Sequence, residues 1–344
     1  MAERFVIPSP DDFHAHLRRG PDMPQYALRH AASFGRALVM PNTRPPVSSP
    51  AEVEAYRREI EAATARSARQ GPAFEALMTF KLVPGMSRDL VLACAKAGAL
   101  AGKYYPAGST TNSDDGVVEP ESVEEALGAM EDASLVLCVH GEQPGAAALE
   151  REAAFLPTLE SLIAGHPRLR IVMEHISTID SLGFLRRAPE RVAATVTAQH
   201  LLCSLEDLLG GALNPHLFCR PVLKAESHVS ALREAVLTGQ ARLFFGSDSA
   251  PHPRGAKESG AAPAGIYSSP SAIPALAGFF EEAGRLDLFQ TFVAGTGARF
   301  YDLPPARGSL ELIREAWMVP DEVDGCVPLL AGRRLAWRLG RIGV

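Results

Sequence analysis

The stretch "DDFHAHLRRG", residues 11–20, places His14, His16 and Arg18 two residues apart. Two is the side-chain period of a strand, so an extended segment would send all three from one face. Three basic groups on one face repel unless something negative or metallic lies between them. Paired imidazoles suit a divalent ion, and a guanidinium just beyond them suits a carboxylate. An isolated His-x-His also fits a strand end with solvated histidines, so the rest of the chain has to decide.

Other residues of the same chemistry recur downstream: Lys103 in "ALAGKYYP", His140 in "LVLCVHG", His175 in "RIVMEHIS", and Asp248 and His252 in "RLFFGSDSAPH". Each has a bland reading. A lone histidine can be a hydrogen-bonded structural residue, Lys103 a salt-bridging one, and Asp248 a helix cap. These explanations are independent of one another, whereas a metal site accounts for all the placements together. Four of these imidazoles with one carboxylate fit zinc or a similar borderline ion. Lysine is the odd member, because an ammonium has donors only and cannot bind a cation. It becomes a ligand when CO2 carboxylates its amine, giving an anion with two oxygens that can bridge two ions.

Such a set needs elements that converge. Eight short apolar runs recur: "RFVIP" at 4–8, then runs at 36–42, 74–80, 99–106, 135–141, 170–177, 192–200 and 242–252. Between most of them lie stretches whose apolar residues fall three and four apart, as in "AEVEAYRREIEAATARSARQG" and "ESVEEALGAMEDAS". Near-continuously apolar strands alternating with helices predict a parallel sheet buried on both faces. With eight strands the expected architecture is one (β/α)8 TIM barrel, with residues 303–344 as a C-terminal extension packing on it. The carboxyl ends of barrel strands converge on one face, which is where the candidate residues fall.

Composition restricts the function classes. The chain has 344 residues, 47% hydrophobic and 22% charged, with 34 basic against 40 acidic side chains and a formal charge of −6. Mild acidity without a basic cluster argues against nucleic acid as a partner. The five cysteines form no CxxC pair, and Cys94 and Cys138 lie in apolar runs, as expected of reduced thiols. No signal-peptide pattern opens the sequence, and no apolar run approaches the roughly 18 residues needed to span a bilayer. A cytoplasmic, soluble protein without a membrane partner is the expectation.

The ordered set (His-x-His, a lysine on the fourth strand, histidines after the fifth and sixth, an aspartate after the eighth) resembles the amidohydrolase superfamily. The blocks "DDFHAHLRRG", "MPNTRPPV", "GKYYPAGSTTNSDDGV", "VHGE", "EHIST", "TAQHL" and "GSDSAPHPRGAKES" resemble more closely the shorter, bacterial-type (class II) dihydroorotases. "FCRPVLK" and "VPLLAGRRLAW" extend the likeness over nearly the whole chain.

That resemblance implies a zinc ion held by His14, His16 and Asp248, a second held by His140 and His175, and an N6-carboxylated Lys103 bridging them. It implies interconversion of dihydroorotate and N-carbamoyl-L-aspartate in pyrimidine biosynthesis, with Asp248 as the catalytic proton carrier. Arg18, Asn42 and His252 match positions that hold the substrate carboxylate. Thr110 and Thr111 match the tip of a loop that closes over substrate, though "GSTTNSDDG" also reads as a merely flexible loop. Arg220 and Ala264 match main-chain contacts to the pyrimidine. Arg220 departs from the apolar residue common there, so its side chain has to point elsewhere. "SGAAPAG" likewise departs from a cysteine-rich stretch in enterobacterial relatives. Gln25, His30 and His200 match nothing and are left structural. A homodimer is the family expectation.

Two competing readings stand beside this one. A hydantoinase- or allantoinase-type cyclic amidase would share the ligands but need no arginine for a ring carboxylate. An inactive dihydroorotase-like scaffold would be marked by lost ligands, and here all six are present.

Overall fold

The computed structural model describes residues 3–67 and 71–342. Thirteen strands occur among them: β1 (Arg4–Pro8), β2 (Asp11–Ala15), β3 (Arg36–Val39), β4 (Glu75–Lys81), β5 (Ala99–Tyr104), β6 (Val136–Val139), β7 (Arg170–Met173), β8 (Val192–Val196), β9 (Leu243–Phe245), β10 (Ser309–Ile313), β11 (Trp317–Met318), β12 (Arg334–Leu335) and β13 (Arg338–Ile342). Strands β2 to β9 pair in sequence order, all parallel, with helices between most neighbours: the expected (β/α)8 barrel.

The sequence reading misplaced the first barrel strand. "RFVIP" (β1) lies outside the barrel, in an antiparallel sheet of order β1-β10-β13. The barrel starts at "DDFHA" itself. The segment beside the barrel is therefore built from both ends of the chain, not from the C-terminal residues alone. The apolar run "RFVIP" predicted a strand correctly but could not name its sheet, because that depends on which strand it pairs with.

Inside the barrel, Phe13, Leu38, Leu77, Ala101, Cys138, Val172, Ala193 and Phe244 form one buried apolar cluster. Tyr301 stacks on Phe13 with ring centroids 4.8 Å apart and closes this cluster. Inward positions on a strand recur every second residue. Two residues beyond Ala101, Cys138, Val172 and Ala193 lie Lys103, His140, Glu174 and Thr195, so the polar layer rests directly on the apolar one.

The barrel closes at the same level. Asp248 N donates to His14 O at 2.8 Å and His16 N to Ser249 O at 3.0 Å. Gly246 permits that approach: a Cβ there would lie 3.0 Å from His14 Cβ and 3.1 Å from Thr195 Cβ. Closure thus brings the first and last site segments together. Side-chain caps fix several helix starts beyond the strands; Ser49, Ser87, Thr178 and Thr197 each accept from a first-turn N–H, a contact worth about 1 kcal/mol.

Candidate active site

One cavity at the carboxyl ends of the strands is lined by His14, His16, Arg18, Asn42, Tyr105, Thr110, Thr111, His140, His175, Arg220, Asp248 and Ala264. Of the residues expected at the site from the sequence, Lys103 and His252 are outside that lining. Both are adjacent to it, as the contacts below show.

His14, His16 and Asp248 offer ligand atoms that all lie within 4.8 Å of one another. His16 Nε2 is 3.1 Å and His14 Nε2 3.6 Å from Asp248 Oδ1. The other nitrogen of His14, Nδ1, is 2.8 Å from Glu174 Oε2, which also accepts from Thr195 Oγ1 at 2.6 Å. That second bond leaves Nε2 as the atom free to ligate, the arrangement expected around a metal-binding imidazole. The register of β2 against β3 shifts between Asp12 and Ala15, which turns His14 inward out of strict alternation.

His140 and His175 form a second pair. His140 Nδ1 faces His175 Nε2 at 3.2 Å, and Glu142 Oε2 holds His140 Nε2 at 2.9 Å. The rings of His14 and His175 lie 4.9 Å apart, so the pair adjoins the first trio. Burial, reinforced by positive neighbours, lowers the pKa of His14, His16 and His175, so these imidazoles are neutral with lone pairs to offer.

Lys103 is fully buried on β5, and its Nζ has no hydrogen-bond partner among the described residues. It lies 5.2 Å from the centre of the Tyr105 ring. Burial lowers its pKa, which favours the neutral amine, the form that reacts with CO2. A buried amine without a partner, beside four imidazoles and a carboxylate, is a donor set that fits two bridged dications. Burial also raises the Asp248 carboxyl to about 7.

Arg18 sits beyond the strand with φ 50°, so strand periodicity does not carry as far as the guanidinium. His175 and Asp248 share the left-handed backbone, at φ 42° and 45°. Such conformations cost roughly 1–3 kcal/mol each and collect at functional sites. Arg18 Nη2 is 2.9 Å from His252 Nε2, while its buried Nε has no hydrogen-bond partner among the described residues. Burial and then Arg18 push His252 down to about 2, so it is a neutral imidazole here. Arg220 carries its guanidinium over the Phe218 ring, 6.0 Å from the centroid.

The loop bearing Thr110 and Thr111 lies against the cavity. Asn42 Nδ2 donates to Thr111 O at 2.9 Å, Asn112 Nδ2 to Asn42 O at 2.9 Å, and Thr111 Oγ1 to Ala264 O at 3.3 Å. His30 and His200 are buried and hydrogen-bonded, to Ser269 and to Thr197 and Pro221 respectively, and neither lines the cavity.

Sequence reasoning missed Tyr105, Glu142 and Glu174. A signal existed for the two glutamates. Each lies within two residues of a candidate histidine, in "VHGE" and "MEH", where a carboxylate can orient an imidazole. Tyr105 carried none beyond its place after Lys103.

An amidohydrolase family model matches residues 5–330. The dihydroorotase of Laribacter hongkongensis is 44% identical over 343 residues, 97% of this chain and 99% of that one. That of Alkalilimnicola ehrlichii is 43% identical over 345 residues, 98% and 99% of the two chains. The crystal structure of the dihydroorotase from Campylobacter jejuni superposes with a TM-score of 0.89 at 34% identity, over 98% of each chain.

Proposed function

The chain belongs to the amidohydrolase family, with the dihydroorotases, and from that premise we propose how its residues divide the work. The reaction is the hydrolytic opening of a cyclic amide, dihydroorotate, and its reversal from N-carbamoyl-L-aspartate in pyrimidine synthesis. The family is metal-dependent, and His14, His16 and Asp248 form a possible metal group here. In the finer reading, His14, His16 and Asp248 would hold one zinc ion and His140 and His175 a second, with N6-carboxylated Lys103 as a ligand to both. Bound dications of this kind supply acidified water and polarise a carbonyl oxygen.

The chain's own residues do the rest. Arg18, with Asn42 and His252, holds the ring carboxylate; a guanidinium pairs with a carboxylate through parallel N–H donors. That contact places the scissile carbonyl over the histidines, which converts a random encounter into a fixed approach. Asp248 accepts a proton from the attacking water and delivers it to the departing ring nitrogen. Main-chain groups at Arg220 and Ala264 meet the pyrimidine edge, and Thr110 and Thr111 close over it, excluding water. The five cysteines are all free and buried, which supports the cytoplasmic reading. No helix among the described residues is long and apolar enough to cross a membrane. A homodimer completes the proposal.

One observation carries the substrate assignment. Arg18 points a half-buried guanidinium into the site, and the side chain it is hydrogen-bonded to is the neutral His252, while Asp248 acts on it through charge alone. A neutral cyclic ureide would give the guanidinium no carboxylate to pair with directly. Arg18→Gln, assayed against dihydroorotate and against hydantoin, tests it. Dihydroorotate turnover should fall at least about a hundredfold, the loss of a buried charge-assisted pair, with no loss toward hydantoin. Equal losses on both substrates would contradict the assignment.

A further inference from the structure

We propose that Lys257 is the positioning residue of the substrate wall: its ammonium fixes the main-chain group of Ala264 that faces the cavity, and with it the segment carrying Arg220. The proposal rests on the site reading above and names a residue that this reading does not use.

Lys257 ends the short helix Arg254–Lys257 that follows β9, and it is 3% exposed. Its Nζ donates to Phe218 O at 2.8 Å, Pro263 O at 2.9 Å and Gly265 O at 2.8 Å. An ammonium has three donors, and all three go to main-chain carbonyls of two separate segments. Burial pushes its pKa down to about 8, so at neutral pH the three donors are present. Gly265 N also donates to Phe218 O at 3.0 Å, which ties the two segments a second time.

The three consecutive carbonyls point to different partners. The carbonyls of Pro263 and Gly265 turn toward Lys257, while that of Ala264, between them, turns the other way. There it meets His252 Nε2 at 3.1 Å and Thr111 Oγ1 at 3.3 Å. Holding 263 and 265 from behind therefore aims 264 into the cavity. The segment has little slack, because Gly265 sits at φ 146° where a Cβ would come within 2.7 Å of Ala250 O. On the other segment, the Phe218 ring has both Lys257 Nζ, 5.6 Å from its centroid, and the Arg220 guanidinium, 6.0 Å from it, as neighbours. Removing the ammonium frees both walls without touching a candidate metal ligand.

The test uses the zinc-reconstituted enzyme and its Lys257→Met and Lys257→Arg variants. Zinc content, kcat and KM in both directions, and amide hydrogen exchange over 217–220 and 261–266 are measured. Lys257→Met should keep its zinc and a kcat within about threefold of the parent, while KM rises at least about tenfold, the scale of losing charge-assisted hydrogen bonds. Exchange should quicken in both segments, and Lys257→Arg should recover most of the KM. An unchanged KM, or loss of zinc and kcat together, would overturn the proposal. If Lys257→Met fails to fold, Lys257→Gln and Lys257→Arg carry the same KM comparison. Parent enzyme that does not open dihydroorotate would instead defeat the site reading.

Discussion

The Lys103 amine lies 5.2 Å from the centre of the Tyr105 ring, buried and without a hydrogen-bond partner among the described residues. An ammonium left so would cost several kcal/mol, and carboxylation would turn it into an anion between two groups of imidazoles. Lys103→Ala should therefore bind at most one zinc tightly per chain, because a bridging anion offsets repulsion between dications. Turnover should be largely lost, and short carboxylic acids should partly restore it. Metal analysis and dihydroorotate assays check this; two retained zincs with near-normal turnover would remove the bridge from the account.

Asp248 serves twice in the account, as ligand and as proton carrier. Asp248→Asn should leave circular dichroism and the folding transition in place but lower turnover by at least about 10²–10⁴, the range for a general acid-base group. A variant retaining a tenth of the parent rate would show that the proton travels elsewhere.

The loop at 109–116 is latched from below. Lys81, 1% exposed on β4, donates to Asn112 O at 2.8 Å and pairs with Asp115. Lys81→Met should release the loop, seen as faster proteolysis within 107–116 and a kcat reduced about tenfold or more, since water enters an uncovered site. Unaltered proteolysis would mean that the contacts of the loop with Asn42, Arg44 and Ala264 hold it without Lys81.

The direction of the reaction should depend on pH through proton balance. Dihydroorotate carries one carboxylate and carbamoyl-aspartate two, so opening releases a proton and closing consumes one. Above the carboxylate pKa values, near 4, the ring-to-open ratio should fall about tenfold per pH unit. Opening needs Asp248 ionised and should quicken as pH rises; closing needs the same unit protonated and should slow. The controlling value, expected between about 6 and 8, would belong to Asp248 and a metal-held water as one unit. Initial rates from pH 5.5 to 9.5 decide the matter, and profiles that run parallel in the two directions would exclude a single shuttling proton.

What the sequence revealed of the site depended on local patterning. His14, His16, His140, His175 and Lys103 were legible because each sits at or next to a strand end, where a polar residue interrupts an apolar run. Arg18 was found by period-two spacing, although its left-handed backbone shows that spacing was not the cause of its placement. The identity of the first barrel strand was not legible, since "RFVIP" is the apolar run, whereas "DDFHA", buried throughout in the barrel, carries two aspartates and a histidine. Lys257 and Lys81 were passed over for a similar reason. A lysine in a loop helix or a strand reads as solvated, and only the fold reveals the carbonyls gathered around each.

The most direct test of the account is a zinc titration of metal-stripped protein, with bound metal and dihydroorotate opening followed in the same samples. Activity should be absent at first, rise with zinc, and level off at two ions per chain, with hydantoin remaining a poor substrate throughout. Ring opening by the metal-free chain, or saturation with zinc without any opening of dihydroorotate, would contradict it.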